Sequence, residues 1–188
     1  EKLNVRSARI GVIGLGYVGL PLAVATASEG FGTLGFDNDP VKIDSLMQGT
    51  SYIDAVKDTT LGALVGDTRF EATSDMTRLT ECDVIVVCVP TPLTPHRVPD
   101  MSYVEKTVEM IARRLRAGQL IVLESTTYPG TTDGLVKSIL EKTGLVCGVD
   151  FFIGFSPERE DPGNIDFATV TIPKVVAGSG EIASALVE

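Results

Sequence analysis

Apolar runs alternate along the chain with segments of helical periodicity, and this alternation predicts the fold. Runs of β-branched and apolar residues predict buried strands at 10–13, 33–36, 83–89, 119–124 and 151–155, with weaker ones at 68–73 and 174–177. Amphipathic spacing predicts helices at 40–48 and 102–116. Segments of helical character predict further helices at 20–27, 61–65, 133–143 and 181–188, with a helical turn at 74–79. Residues 50–61 are predicted as a loop, and Ser102 with Glu105 as a capping box. The order predicts an α/β fold, a Rossmann-type, doubly wound, mostly parallel sheet with helices on both faces.

Three glycines follow the first predicted strand at the spacing G-x-G-x-x-G. Gly14 permits a tight turn out of the strand, and Gly16 leaves space for a pyrophosphate to approach the backbone. Gly19 lets the following helix pack closely against the sheet. Since the helix N-terminus offers free N–H groups and a partial positive charge, the pattern predicts a dinucleotide site.

An aspartate at the end of the second strand indicates which dinucleotide binds. Asp37 lies 18 residues after Gly19, where a carboxylate accepts hydrogen bonds from both hydroxyls of an adenosine ribose and repels a 2′-phosphate. The sequence therefore predicts NAD rather than NADP. Alternatively, Asp37 caps the helix that begins at Pro40, a role that Asp39 could equally fill. Lys42 is either a cation near the adenosine or a solvated helix residue.

Polar groups follow each of the strong strands. They are the glycine loop, Asp37, the 90–92 Pro-Thr-Pro, Ser125-Thr126, and Glu158 of Ser-Pro-Glu. Ligands of open α/β sheets bind outside the carboxyl ends of the strands, so these groups are expected at one shared edge. The single histidine, His96, lies in a proline-rich loop, where a solvated side chain is commoner than a general base.

Composition narrows the class of protein. With 188 residues the chain suits one domain, 1–188, and its net charge of −9 argues against nucleic acid and anionic membranes as partners. No apolar run approaches the roughly 20 residues that span a bilayer, and no export signal is visible. Its three cysteines are an odd count without metal-type spacing, so no metal site is expected and a reducing cytoplasm is the expected compartment.

Four ordered motifs resemble the UDP-glucose/GDP-mannose dehydrogenase family. They are Gly-Leu-Gly-Tyr-Val-Gly-Leu-Pro at 14–21, Val-Pro-Thr-Pro at 89–92, Glu-Ser-Thr at 124–126 and Ser-Pro-Glu at 156–158. The longer runs ESTTYPGTT and SPEREDPGN look most like the branch that acts on UDP-N-acetylhexosamines. Pro162 stands where the UDP-glucose branch usually has a second glutamate, so the sugar contacts of that branch do not transfer.

The resemblance implies an NAD-dependent oxidation of a sugar C6 alcohol to a carboxylate in two hydride transfers, in polysaccharide biosynthesis. It implies that the N–H groups of Tyr17 and Val18 contact the pyrophosphate, and that Asp37 and Lys42 flank the adenosine ribose. It further implies positions for the second half of the site: Thr91 at the nicotinamide, Thr126 at the cofactor and the reacting water or alcohol, Glu158 in proton transfer and substrate contact, and Arg159 at the substrate. Thr126 as a helix cap and Glu158 as a first-turn helix residue are the structural alternatives.

One departure from the family concerns the nucleophile. The family carries a catalytic cysteine in a downstream Cys-Pro-Lys-Asp-type motif, and the contexts of Cys82, Cys88 and Cys147 do not match it. We therefore expect the N-terminal part of a longer, homo-oligomeric enzyme, a part that binds NAD without turnover. Three alternatives stay open: UDP-glucose 6-dehydrogenase, a 6-phosphogluconate or 3-hydroxyacid type of NAD dehydrogenase, and a dinucleotide-sensing module.

Overall fold

A seven-stranded sheet forms the centre of the computed structural model, which describes residues 1–157 and 174–188. The strand order is β3-β2-β1-β4-β5-β6-β7; the first six are mutually parallel, and β7 runs antiparallel to β6. The strands are β1 Arg9–Ile13, β2 Gly32–Phe36, β3 Phe70–Thr73, β4 Val84–Val87, β5 Leu120–Leu123, β6 Phe152–Phe155 and β7 Ala177–Gly178.

Helices connect the parallel strands and cover both faces of the sheet. They are α1 Gly19–Ser28, α2 Pro40–Met47, α3 Asp58–Gly66, α4 Ser102–Ala112, α5 Lys137–Leu140 and α6 Glu181–Val187. A 3₁₀ helix spans Met76–Glu81, a π-helical turn at Thr132–Val136 precedes α5, and a 3₁₀ turn at Glu141–Thr143 follows it. The predicted fold class, a doubly wound and mostly parallel α/β sheet, is confirmed.

The alternation of side chains along each strand divides the core into two layers. Val12, Val86 and Val122 face one side, where residues of α1, α2, α3 and α6 pack on them. Ile13 and Val87 face the other side, against α4, α5 and the 3₁₀ helix. Both layers are needed because the strands of a parallel sheet carry apolar side chains on both faces.

Several predicted boundaries were wrong for local reasons. The capping box does not form: the backbone N–H of Ser102 donates to Asp100, so Ser102 is already the first residue of α4. That helix ends at Ala112 rather than 116. The predicted loop at 50–61 gives way to α3 from Asp58, and the weak strand at 174–177 pairs only at Ala177–Gly178.

The amino edge of the sheet is held by a partly exposed network around Asp83. Its carboxylate accepts hydrogen bonds from Lys2 Nζ at 2.8 Å, Arg116 Nη2 at 2.9 Å and the Arg9 backbone N–H at 3.1 Å. Burial acts to raise the pKa of Asp83, but these hydrogen bonds outweigh it and hold the pKa below its ordinary value. The network ties the N-terminal segment to β4 at the edge opposite the strand tips.

Across the described residues, 1–157 and 174–188, each helix is too short or too polar to cross a lipid bilayer.

Candidate functional site

The carboxyl ends of five neighbouring strands meet at one edge in a common register. Phe36, Ile13, Val87, Leu123 and Phe155 pair in turn across β2, β1, β4, β5 and β6. The next residue along each strand therefore falls into a second row, made up of Asp37, Gly14, Cys88, Glu124 and Ser156. We call this second row the polar row; it carries the candidate site.

The glycine loop leaves β1 in a conformation that only glycine allows. Gly14 has a φ of +91°, and a Cβ there would lie 2.7 Å from the carbonyl oxygen of Cys88. A Cβ on Gly19 would lie 1.9 Å from the carbonyl oxygen of Gly14, so the first turn of α1 packs directly on the loop. At Gly16 no atom lies within 4 Å of a Cβ position, so this face of the loop is open.

Three backbone N–H groups of the glycine loop have no hydrogen-bond acceptor among the described residues. Within the described residues, the N–H groups of Gly16, Tyr17 and Val18 make no hydrogen bond, whereas Leu15 N–H donates to Asp37. These groups precede the N-terminus of α1, where the helix dipole is positive. An open loop with unpaired donors fits a diphosphate.

Asp37 lies at the tip of β2 and bonds to the glycine loop. Its Oδ2 accepts from Leu15 N–H at 3.0 Å, and its Oδ1 accepts from Asp39 N–H at 3.1 Å. Lys42 Nζ lies 3.5 Å from Oδ2, and Asp37 is only 8% exposed. Asp39 caps α2 by accepting from Val41 N–H, so the capping role belongs to Asp39 and leaves Asp37 for the loop.

Tyr52 is a site residue that the sequence analysis missed. Its hydroxyl donates to the carbonyl oxygen of Leu15 at 2.6 Å, and Lys42 Nζ lies 5.6 Å from the centre of its ring. Burial raises the pKa of Tyr52, and the charges of Asp37 and Asp39 raise it further. The only signal in the sequence was an aromatic residue in a polar loop, which is too common to interpret.

The tips of β4 and β5 are joined through Ser125. Its hydroxyl donates to the carbonyl oxygen of Val89 at 2.7 Å. The next residue, Thr126, is exposed, and its hydroxyl makes no hydrogen bond within the described part of the chain. Thr91, two residues beyond Val89, is half-buried. The loop after β4 also carries His96, which is exposed.

Glu124 enters the sequence analysis only as part of a motif, yet its carboxylate lies in the polar row next to Cys88. It is 4% exposed, and Oε1 lies 2.6 Å from Lys174 Nζ. The thiol of Cys88 donates to Oε2 at 3.6 Å. A charge this deeply buried requires such partners, but no sequence pattern linked residues 50 positions apart.

Glu158 and Arg159 lie outside the described residues. Cys82 is a buried core residue at the amino edge, and burial raises the pKa of its thiol to about 12. Cys147 is half-buried, and its pKa is raised chiefly by burial.

The arrangement can hold an extended dianionic ligand on a protein of the same charge sign. Donors from the glycine loop and the cation Lys42 provide local attraction despite the net charge of −9. Asp37, at one side of the loop, can accept ribose hydroxyls, while Thr91 and Thr126 lie on the opposite side. These residues fit a dinucleotide with the adenosine half over β2 and the other half over β4 and β5.

Comparison with known proteins gives a family match over nearly the whole chain. Residues 8–187 match the model described as "UDP-glucose/GDP-mannose dehydrogenase family, NAD binding domain". UDP-N-acetyl-D-glucosamine 6-dehydrogenase of Pseudomonas aeruginosa is 38% identical over 176 residues, covering 93% of this chain and 41% of the relative.

Solved structures of similar sequence share the fold. UDP-D-ManNAc dehydrogenase from Pyrococcus horikoshii superposes with a TM-score of 0.87 at 35% identity, covering 95% of this chain and 43% of that one. GDP-mannose dehydrogenase from Pseudomonas aeruginosa, solved as a ternary complex, superposes with a TM-score of 0.84 at 30% identity. The match covers 95% of this chain and 42% of the GDP-mannose dehydrogenase chain. The chain thus spans less than half the length of the relatives that it matches.

Proposed function

Because the chain belongs to the UDP-glucose/GDP-mannose dehydrogenase family and matches the NAD-binding domain of that family, we propose that it is part of a nucleotide-sugar 6-dehydrogenase. The proposed reaction oxidises the C6 alcohol of a UDP-N-acetylhexosamine to the uronic acid. Four electrons leave the sugar as two hydrides, and one water is consumed. This chain supplies the cofactor site and part of the substrate site.

One observation carries the proposal: a buried carboxylate at the β2 tip is bonded to a glycine loop whose outer face is open. The Asp37–Leu15 hydrogen bond fixes the carboxylate beside the loop, and the open position at Gly16 leaves its backbone accessible. In the proposed complex, the N–H groups of Tyr17 and Val18 donate to the pyrophosphate. Lys42 balances the added negative charge near the adenosine.

The same geometry supports a preference for NAD over NADP. The Asp37 carboxylate is nearly buried, so a 2′-phosphate close to it would meet a like charge in a region of reduced dielectric. Lys42 is the nearby cation, but it already pairs with Asp37. The Asp37 carboxylate would instead accept hydrogen bonds from the ribose hydroxyls of NAD.

The chemistry of the second half of the site falls to residues at the other strand tips. NAD, when bound, accepts each hydride. We assign Thr126 to orient the reacting alcohol or water, because its exposed hydroxyl donates and accepts without changing charge. Thr91 is assigned to the nicotinamide half. From the sequence motif we assign proton transfer and substrate contact to Glu158, and substrate binding to Arg159.

The substrate class is argued from sequence likeness. The similar proteins from Pseudomonas aeruginosa and Pyrococcus horikoshii are named for UDP-N-acetyl-D-glucosamine and UDP-D-ManNAc. The run SPEREDPGN also carries Pro162 where a UDP-glucose enzyme has a glutamate. Both support a UDP-N-acetylhexosamine, with UDP-glucose as the second candidate.

An assay of the longer protein that contains this chain tests the proposal. NADH formation is measured with UDP-N-acetylglucosamine, UDP-N-acetylmannosamine, UDP-N-acetylgalactosamine and UDP-glucose. We expect two NADH per sugar with an N-acetylhexosamine substrate. Glu158→Gln and Thr126→Ala should lower the rate, and Thr126→Ser should recover most of it. Turnover of UDP-glucose alone would contradict the substrate class, and NAD binding without turnover of any sugar would favour a sensing module.

A further inference from the structure

The polar row extends to both sides of the glycine loop. Asp37 flanks the loop through β2, and Cys88 and Glu124 follow on β4 and β5. Residues in register on parallel strands point to the same face of the sheet. Neighbouring strands are about 4.8 Å apart, so Glu124 lies about 14 Å across the sheet from Asp37. The row thus places one buried carboxylate on each side of the loop.

Glu124 is tied in place from two directions. Lys174, in the segment that leads into β7, contacts Oε1, and Cys88, just after β4, contacts Oε2. Lys174 is itself only 22% exposed at its side chain. A buried ion pair of this kind contributes little net stability relative to apolar residues, because desolvation offsets the attraction. The ion pair does fix the position of the β5 tip relative to the segment that leads into β7.

Glu124 connects the backbone at the tips of β4 and β5, the side of the site that carries Thr126. Ser125, the next residue, bonds to Val89 and so locks the β5 tip against the β4 tip. Thr126 follows with an exposed hydroxyl. On the other flank, Cys88 packs against the glycine loop, because its Cβ lies 3.1 Å from where a Cβ of Gly19 would be. Glu124 therefore connects the Thr126 backbone to the loop.

We propose that the Glu124–Lys174 ion pair is a positioning pair for the nicotinamide half of NAD, separate from the Asp37 and Lys42 contacts of the adenosine half. The pair fixes the backbone at the β5 tip. It thereby holds Ser125 and Thr126 in the position that binding of the nicotinamide nucleotide requires. This inference rests on the proposed cofactor site. It predicts that breaking the pair weakens the binding of the nicotinamide half of NAD more than the binding of the adenosine half.

Calorimetric titration of the chain with NAD and with ADP-ribose, which lacks nicotinamide, tests the pair. For Glu124→Gln and Lys174→Met we expect the Kd for NAD to rise about tenfold, or about 1.4 kcal/mol. The Kd for ADP-ribose should change less than about twofold, because its contacts lie over β1 and β2. Exposed Glu109→Gln and Lys142→Met are matched charge controls and should change neither.

Conservative replacement separates positioning from general loss of structure. Lys174→Arg keeps the cation and should restore NAD affinity to within about threefold of the original chain, since guanidinium also pairs with carboxylate. Equal losses for both ligands, or no loss for either, would overturn the positioning role while leaving the cofactor site intact. If the unaltered chain binds neither ligand, the proposed cofactor site itself is wrong. Should Glu124→Gln fail to fold, the two Lys174 variants decide the matter.

Discussion

At the scale of single residues, the glycine motif was interpretable from sequence because each glycine has a distinct steric reason. Spacing alone predicted the turn at Gly14 and the close packing at Gly19, and the structure has both. The partners of Asp37 were not predictable. Its hydrogen bond to Leu15 joins residues 22 positions apart, and the sequence pattern of β2 carries no information about it.

Alanine at two of the glycines should separate ligand binding from folding. Gly16→Ala meets no atom within 4 Å, so we expect the free energy of unfolding to change by less than about 0.5 kcal/mol while NAD affinity falls at least tenfold. Gly19→Ala would collide with the Gly14 carbonyl, so it should destabilise by about 2 kcal/mol or more. Urea unfolding and calorimetry measure the two effects; normal NAD binding by Gly16→Ala would refute the loop assignment.

Removal of the Asp37 carboxylate should weaken NAD binding without creating NADP binding. Hydrogen bonds to charged groups contribute about 1.5–3 kcal/mol, so Asp37→Ala should raise the Kd for NAD about 10- to 100-fold. Asp39→Ala is the matched control: it loses the α2 cap and about 1 kcal/mol of stability but keeps the ribose acceptor. An unchanged Kd for NAD together with a gain in NADP affinity would show that repulsion alone, not hydrogen bonding, was the role of Asp37.

At the scale of secondary structure, strand positions were predictable and helix ends were not. Four-residue apolar runs such as β4 and β5 are nearly unambiguous because both faces of a central strand are buried. Helix α4 begins at Ser102 as predicted, but the capping box is absent because the Ser102 N–H donates to Asp100. Competing caps separated by two residues look alike in sequence, so the choice depends on the preceding loop.

The link between the N-terminal segment and β4 should give stability that depends on pH. The pKa of Asp83 is lowered from its ordinary value of 3.8, so the folded state favours the charged carboxylate. Its contribution is therefore present above that value and is lost as pH falls through the lower pKa of the folded state. Asp83→Asn should cost about 1–3 kcal/mol at pH 7, and the difference from the unaltered chain should shrink below about pH 4.

Urea unfolding at pH 7, 5 and 3 measures that difference. Asp44→Asn, at an exposed position on α2, serves as the control for general effects of charge removal. A cost for Asp83→Asn that stays constant down to pH 3 would show that the network stabilises through packing and not through ionisation.

At the scale of the whole molecule, the net charge of −9 and the binding of an anionic cofactor are reconciled by local geometry. Attraction comes from backbone donors and Lys42 at one edge, while the basic side chains around Asp83 are engaged at the opposite edge. The mostly parallel sheet and the shared edge followed from the sequence, because alternation of strands and helices leaves few topologies. The Tyr52 and Lys174 contacts did not, because they join segments through tertiary packing alone.

The central claim is that NAD lies along the carboxyl edge, from Asp37 across the glycine loop to Thr126. Amide chemical-shift mapping of the 188-residue chain during NAD titration tests it most directly. We predict the largest shifts at Gly16, Tyr17 and Val18, with further shifts at Asp37 and Thr126, and none at the amino edge. Shifts confined to the amino edge, or no shifts at saturating NAD, would contradict it.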